Sequence, residues 1–81
     1  MKVEVQFYSR LRDIVDQASQ TREVAAGATV GDLLATLYRE YPRLAEWDSH
    51  LLLAVGLDYV KRDQLLQECD EVSVMPPVQG G

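Results

Sequence analysis

The sequence is poor in the residues that commonly carry chemistry. It has one cysteine, Cys69, which excludes an internal disulfide. It has one histidine, His50, and no spaced cysteines, so no resident metal site is expected. No apolar run approaches the ~18 residues of a membrane span, and no charged-then-apolar leader opens the chain; no membrane partner is expected, and the cytoplasm is the expected compartment. Basic residues are scarce, with 8 Lys and Arg against 13 Asp and Glu and a net charge of −5. That argues against nucleic acid, whose binding needs a cationic surface to release counterions. It also argues against a polybasic membrane anchor. Most of the acidic excess lies in the second half, where a basic partner is a mild expectation. Repeats and low-complexity segments are absent.

What is present reads as one small domain. At 81 residues the chain fits a single core and is too short to enclose a large substrate pocket. Chemistry is therefore expected at an end or at a junction with a partner. Val3, Val5 and Phe7 alternate with Lys2, Glu4 and Gln6, the period of a half-buried strand. Ser9 is placed to cap a helix over 10–16, with Leu11, Ile14 and Val15 as its stripe. A second strand is expected over 20–25. Thr29 then caps a helix running to about Glu40, with Asp32 completing a short-armed capping box. Val30, Leu33, Leu34, Leu37 and Tyr41 form its core face, and Pro42 ends it and opens a short helical turn holding Leu44, Ala45 and Trp47. The apolar run 51–55 predicts a central strand buried on both faces. A turn at Gly56-Leu57-Asp58 leads to a short edge strand at Tyr59-Val60, Leu65 and Leu66 sit in a compact connection, and a last strand spans 70–75. The order predicts an α+β fold of the β-grasp class, a mixed five-stranded sheet with helices on one face and its first and last strands adjacent in the middle.

The domain is expected over 1–75 and an extended tail, ending in Gly-Gly, over 76–81. Pro76 and Pro77 cannot continue a sheet interior and hold the chain extended. Six residues at ~3.3 Å each would carry the carboxylate of Gly81 roughly 20 Å from the body. Gly80 and Gly81 make the end thin enough to thread a narrow channel. A free carboxylate is a poor electrophile, but as an acyl-adenylate it accepts a sulfur nucleophile and becomes a thiocarboxylate, itself a soft sulfur donor. Such a tail suits a carrier loaded by one protein and unloaded in another. The plainer alternative is a flexible end.

Several segments taken together resemble the small, sulfur-carrying subunit of molybdopterin synthase, the MoaD family of ubiquitin-like β-grasp proteins. They are residues 7–13 (Phe-Tyr-Ser-Arg-Leu-Arg-Asp), 29–34 (Thr-Val-Gly-Asp-Leu-Leu), Leu53-Ala54-Val55, Tyr59-Val60, Asp70-Glu71-Val72 and Pro76-Pro77-Val78-Gln79-Gly80-Gly81. The resemblance covers essentially the whole chain. It implies that an E1-like enzyme uses ATP to adenylate Gly81 and that a sulfur donor converts it to the thiocarboxylate. It further implies that the tail, including Val78 and Gln79, enters the large subunit of molybdopterin synthase, where sulfur passes to cyclic pyranopterin monophosphate. The family assembles as two small subunits on a dimer of large ones, and it binds no cofactor tightly. Two positions depart from its pattern: Gly56 stands where Asn is usual, and Cys69 where Gly precedes Asp-Glu-Val. Rival readings are a carrier for thiamine or another thio-cofactor, a ubiquitin-like modifier joined to lysines through Gly81, and an interaction domain with an inert tail.

Strand parity adds a candidate docking surface. If Val3, Val5, Phe7, Val72 and Val74 face the core, then Tyr8 and Met75 face outward at the root of the tail. Tyr59 on its short strand would join them, an aromatic and methionine patch of the kind enriched at interfaces. The alternative is scattered surface aromatics. Cys69 reads as a buried or turn cysteine rather than a persulfide relay, since its neighbours Glu68, Asp70 and Glu71 offer no cation to activate a thiol. Asp13 and Asp16 read as a solvated helix face. Asp70 and Glu71 suit a charged turn as well as a basic partner. Arg10, Arg12, Lys61 and Arg62 are too few for a nucleic-acid surface.

Overall fold

The computed structural model describes residues 1–77. Its elements run β1 (Lys2–Phe7), α1 (Arg10–Val15), β2 (Ser19–Glu23), α2 (Val30–Glu40), α3 (Pro42–Ala45), a 3-10 turn (Asp48–His50), β3 (Leu52–Val55), β4 (Asp58–Tyr59) and β5 (Glu71–Met75). The five strands form one sheet in the order β2-β1-β5-β3-β4. β1 and β5 are parallel and adjacent at its centre, from Glu4 opposite Glu71 to Phe7 opposite Val74. All other pairings are antiparallel. This is the β-grasp arrangement expected from the order of elements.

The core lies between one face of the sheet and the helices. Val3, Val5, Phe7, Val72, Val74 and Leu53 point into it from the strands, and Leu11, Val15, Leu33, Leu34, Leu37 and Leu44 from the helices. Burying each large apolar side chain contributes about 1.5–3 kcal/mol relative to exposure. α2 starts as its sequence dictates. The Thr29 hydroxyl accepts from the Asp32 amide at 3.1 Å, and the Asp32 carboxylate accepts from the Thr29 amide at 2.9 Å. Both bonds satisfy amides that have no partner within the helix.

Several local expectations are corrected. Ser9 precedes α1 but its side chain makes no capping bond: its φ of 55° lies outside the extended conformation of a capping residue. α1 ends one residue early, at Val15, and Asp16 after it takes the left-handed conformation. β2 begins and ends earlier than 20–25, and β4 is Asp58–Tyr59. β3 is an interior strand, as expected, but it is not buried along its length on both faces. It lies between β5 and the edge strand β4, and only Leu53 and Ala54 in it are fully buried. Leu66 enters the core, whereas Leu65 is exposed.

Cys69 is exposed and sits in a turn with φ of 68°, and Gly56 has φ of 60°. Both departures from the family pattern thus fall in the left-handed region, which Gly and Asn adopt readily and a residue such as Cys does not. Replacing Cys69 by Gly relieves a steric penalty and keeps the amide bond to the Lys2 carbonyl. Cys69→Gly is expected to stabilise the domain by about 0.5–1 kcal/mol, the net of relieved strain and added unfolded-state freedom. Urea denaturation reads this as a higher midpoint at unchanged slope.

Candidate functional site

The sheet has helices on one face only, and register decides what the other face shows. In a strand, neighbours point to opposite sides, and residues paired across strands share a side. Since Phe7, Val74 and Leu53 face the core, Gln6, Ser73, Ala54 and Tyr59, which align across four strands, face outward. One row nearer the end of the sheet, Met75 lies opposite Leu52. Tyr8 continues the alternation of β1 beside them and is 39% exposed. Tyr59 is 74% exposed, whereas Ala54 and Ser73, small and flanked by longer side chains, are nearly covered.

Tyr8 and Met75 are therefore neighbours on the uncovered face. Tyr59 shares that face from the adjacent row, two strands from β5 and roughly 12 Å from Met75 once strand spacing and rise are combined, and it lies a further strand away from Tyr8. Leu52 completes the surface and was not singled out from sequence. The run 51–55 looked uniformly buried, and only the pairing of Leu52 with Met75 shows which way it points.

The root of the tail lies at the same end. Pro76 and Pro77 are half-buried and line a groove of about 210 Å³ with Ser9, Arg10 and Trp47. Trp47 was expected in the helical turn after Pro42, but it follows α3 and lies at the tail's exit. No sequence signal marks that role, because it depends on how α3 and the 3-10 turn bring the chain back to β3. Val78, Gln79, Gly80 and Gly81 lie outside the described residues.

Among the described residues, the groups with displaced proton affinity lie off this surface. Arg22 binds Glu40 through both ends of its guanidinium, raising its own pKa and lowering that of Glu40. The Tyr38 hydroxyl donates to Asp48 at 2.5 Å, and Arg62 also holds Asp48. Partial burial, followed by that bond to a carboxylate, pushes Tyr38 up to about 12, while the Tyr38 bond lowers Asp48. These contacts tie α2 to the 3-10 turn and to the segment before β5. They look structural. A group whose folded pKa is raised stabilises fully below its unfolded value and loses that contribution as pH rises toward the folded value. Stability is therefore expected to fall between pH 10 and about 12 more steeply in the native chain than in Tyr38→Phe, as followed by thermal melts across that range.

The geometry presents an uncovered sheet face that is polar toward Lys2, Glu4 and Glu71 and carries Tyr8, Met75 and Leu52 at the end where the proline-stiffened segment leaves, with no acid–base pair or nucleophile gathered at that end among the described residues. No helix among the described residues is long and apolar enough to cross a membrane.

Comparison with known proteins gives a concordant result. The ThiS family model matches residues 5–81. The chain is 30% identical to the molybdopterin synthase sulfur carrier subunit of Chlamydomonas reinhardtii, over all of both chains. It is 38% identical to small archaeal modifier protein 3 of Haloferax volcanii, again over all of both. Among solved structures, a putative molybdopterin converting factor subunit 1 from Pyrococcus furiosus superposes with a TM-score of 0.87 at 29% identity, covering 96% of this chain and 99% of that one.

Proposed function

The chain belongs to the ThiS family, and from that premise we propose that it is the sulfur-carrier small subunit of a molybdopterin synthase. The observation that carries this reading is a family match that runs through the Gly-Gly end, together with full-length similarity to a protein named as that carrier. Gly81 is the working residue. Its carboxylate attacks the α-phosphorus of ATP in an E1-like partner, forming the acyl-adenylate and releasing pyrophosphate. A sulfur nucleophile then displaces AMP and leaves a thiocarboxylate. The tail, Pro76 to Gly81, enters the large subunit, and its sulfur attacks an electrophilic carbon of the pterin precursor, cyclic pyranopterin monophosphate, where a carbon–oxygen bond breaks and the oxygen substituent leaves. Hydrolysis of the resulting thioester leaves sulfur on the pterin and restores the carboxylate, so the carrier is consumed stoichiometrically and reloaded. Tyr8, Tyr59 and Met75 form the docking surface for the large subunit, and Gly80 keeps the segment before the reacting carbon narrow.

A second reading has its own support: similarity to a protein named as a small modifier suits attachment of Gly81 to lysines. Both readings begin with the same adenylate, and intact mass separates them. Incubation with ATP, an activating enzyme and a sulfur source is expected to add the mass of one oxygen-to-sulfur exchange at Gly81. A lysine-linked conjugate as the only product would favour the modifier, and an unchanged mass beside a competent activating enzyme would refute both.

A further inference from the structure

The tail leaves the sheet between two walls. The pairing of β1 with β5 runs to Phe7 opposite Val74. Two positions further on, Ser9 would stand opposite Pro76. Neither extends the ladder. Pro76 has no amide hydrogen, and Ser9, with φ of 55° and ψ of −129°, turns the chain out of β1 into α1. A non-glycine residue at such a positive φ persists only where its surroundings hold it there. The Leu11 amide donates to the Tyr8 carbonyl at 3.1 Å and the Arg12 amide to the Ser9 carbonyl at 3.1 Å, which fixes the turn. The two strands therefore part at one row. The opening is the groove that Ser9 and Arg10 share with Trp47, Pro76 and Pro77.

Trp47 supplies the other wall, and its backbone is held from both sides. Its amide donates to the Leu44 carbonyl at 3.1 Å, and its carbonyl accepts from the His50 amide at 2.8 Å. Asp48, the next residue, accepts from the Tyr38 hydroxyl and from Arg62. Leu44 is fully buried, and Trp47 itself packs against the core. A polar cluster away from the tail thus pins the residue that lines the tail's exit. Pro76 and Pro77, although past the last strand, are half-buried.

We propose that Trp47 is a positioning residue for sulfur delivery: its indole and the Ser9–Arg10 turn seat Pro76 and Pro77 and so set the direction in which the chain leaves the body toward Gly81. The inference rests on the carrier reading. A proline fixes its own φ and restricts the residue before it, so Met75 to Pro77 behaves as one stiff piece. Seating that piece against a pinned ring passes the orientation of the docked domain on to the tail. Gly81 lies four residues beyond Pro77, a reach of up to roughly 13 Å. A tilt of about 10° at the root swings such a reach by roughly 2 Å, and about 1 Å of misplacement costs on the order of a hundredfold in rate. Trp47 belongs to no strand of the docking face, so its loss falls on delivery rather than on affinity.

The first arm of the test needs no sulfur. In NMR spectra of the full chain, the ring current of Trp47, the only tryptophan, is expected to displace the Pro76 and Pro77 ring protons from random-coil shifts, and Trp47→Leu is expected to return them. The second arm is single-turnover delivery from the Gly81 thiocarboxylate to the pterin precursor in the large subunit. Trp47→Leu is expected to lower the rate at saturating large subunit by about tenfold, with the half-saturating concentration within about twofold of native, and Trp47→Phe to restore most of the rate. Pro76→Gly, which loosens the seated piece and removes no core residue, is expected to show the same loss. A melting temperature for each variant verifies that it folds. Random-coil proline shifts in the native chain, a native rate in folded Trp47→Leu, or a loss confined to half-saturation would each overturn the role of Trp47 and leave the carrier reading intact. A native chain that delivers no sulfur would overturn the carrier reading, and the positioning role with it.

Discussion

Deletion of Gly81 is expected to reduce sulfur transfer to background while leaving the folded domain unchanged. Among the described residues, every member of the hydrophobic core lies at or before Val74. Chain termini contribute little stability as a rule, so a shift within about 0.5 kcal/mol is expected on denaturation. The chemical loss is complete by contrast. The truncated chain still ends in a carboxylate, that of Gly80, but about 3.5 Å short of the reacting position. A displacement of even about 1 Å from a productive geometry costs on the order of a hundredfold in rate. A truncated chain that transferred sulfur at the native rate would remove Gly81 from the mechanism.

Tyr8→Asp and Met75→Asp are each expected to weaken large-subunit binding by at least about tenfold, because either places a charge without a partner in an apolar interface. The fold should survive both. Tyr8 already reaches solvent, and Met75 is only half-buried, on the face opposite the helices. Calorimetric titration against the large subunit reads the affinity, and a thermal melt reads the fold. Tyr8→Phe keeps the apolar ring and is expected to bind almost normally, which separates lost packing from lost hydroxyl. Native affinity in both Asp variants would mean that docking uses another surface.

These predictions draw on features that were unequally visible in the sequence. The alternation of Val3, Val5 and Phe7, the capping box at Thr29 and Asp32, and the Pro76-Pro77 stop are local signals. Each depends on residues within a few positions of one another, and the structure contains each as expected for the described residues. Long-range pairing left no such signature. The run Leu51–Val55 has the composition of a strand buried on both faces, yet helices cover only one face of the sheet, and Leu52 and Val55 are only half-buried. Leu52 therefore faces out and joins the candidate docking face. Ser9 has the chemistry of a cap, but its backbone bends the wrong way where β1 turns into α1. The groove at the root of the tail was illegible for the same reason, since Ser9, Trp47 and Pro76 come from three segments whose approach is set by the packing of the whole domain.

The most direct test of the carrier account is a single-turnover reaction. Full-length chain bearing a chemically installed, radiosulfur-labelled thiocarboxylate at Gly81 is mixed with the large subunit and cyclic pyranopterin monophosphate, without ATP. The account predicts that label moves to the pterin and that the chain returns to its carboxylate mass, with two carriers consumed for each dithiolene. Label that stayed on the chain, or appeared only as free sulfide, beside a large subunit active with another carrier, would contradict it.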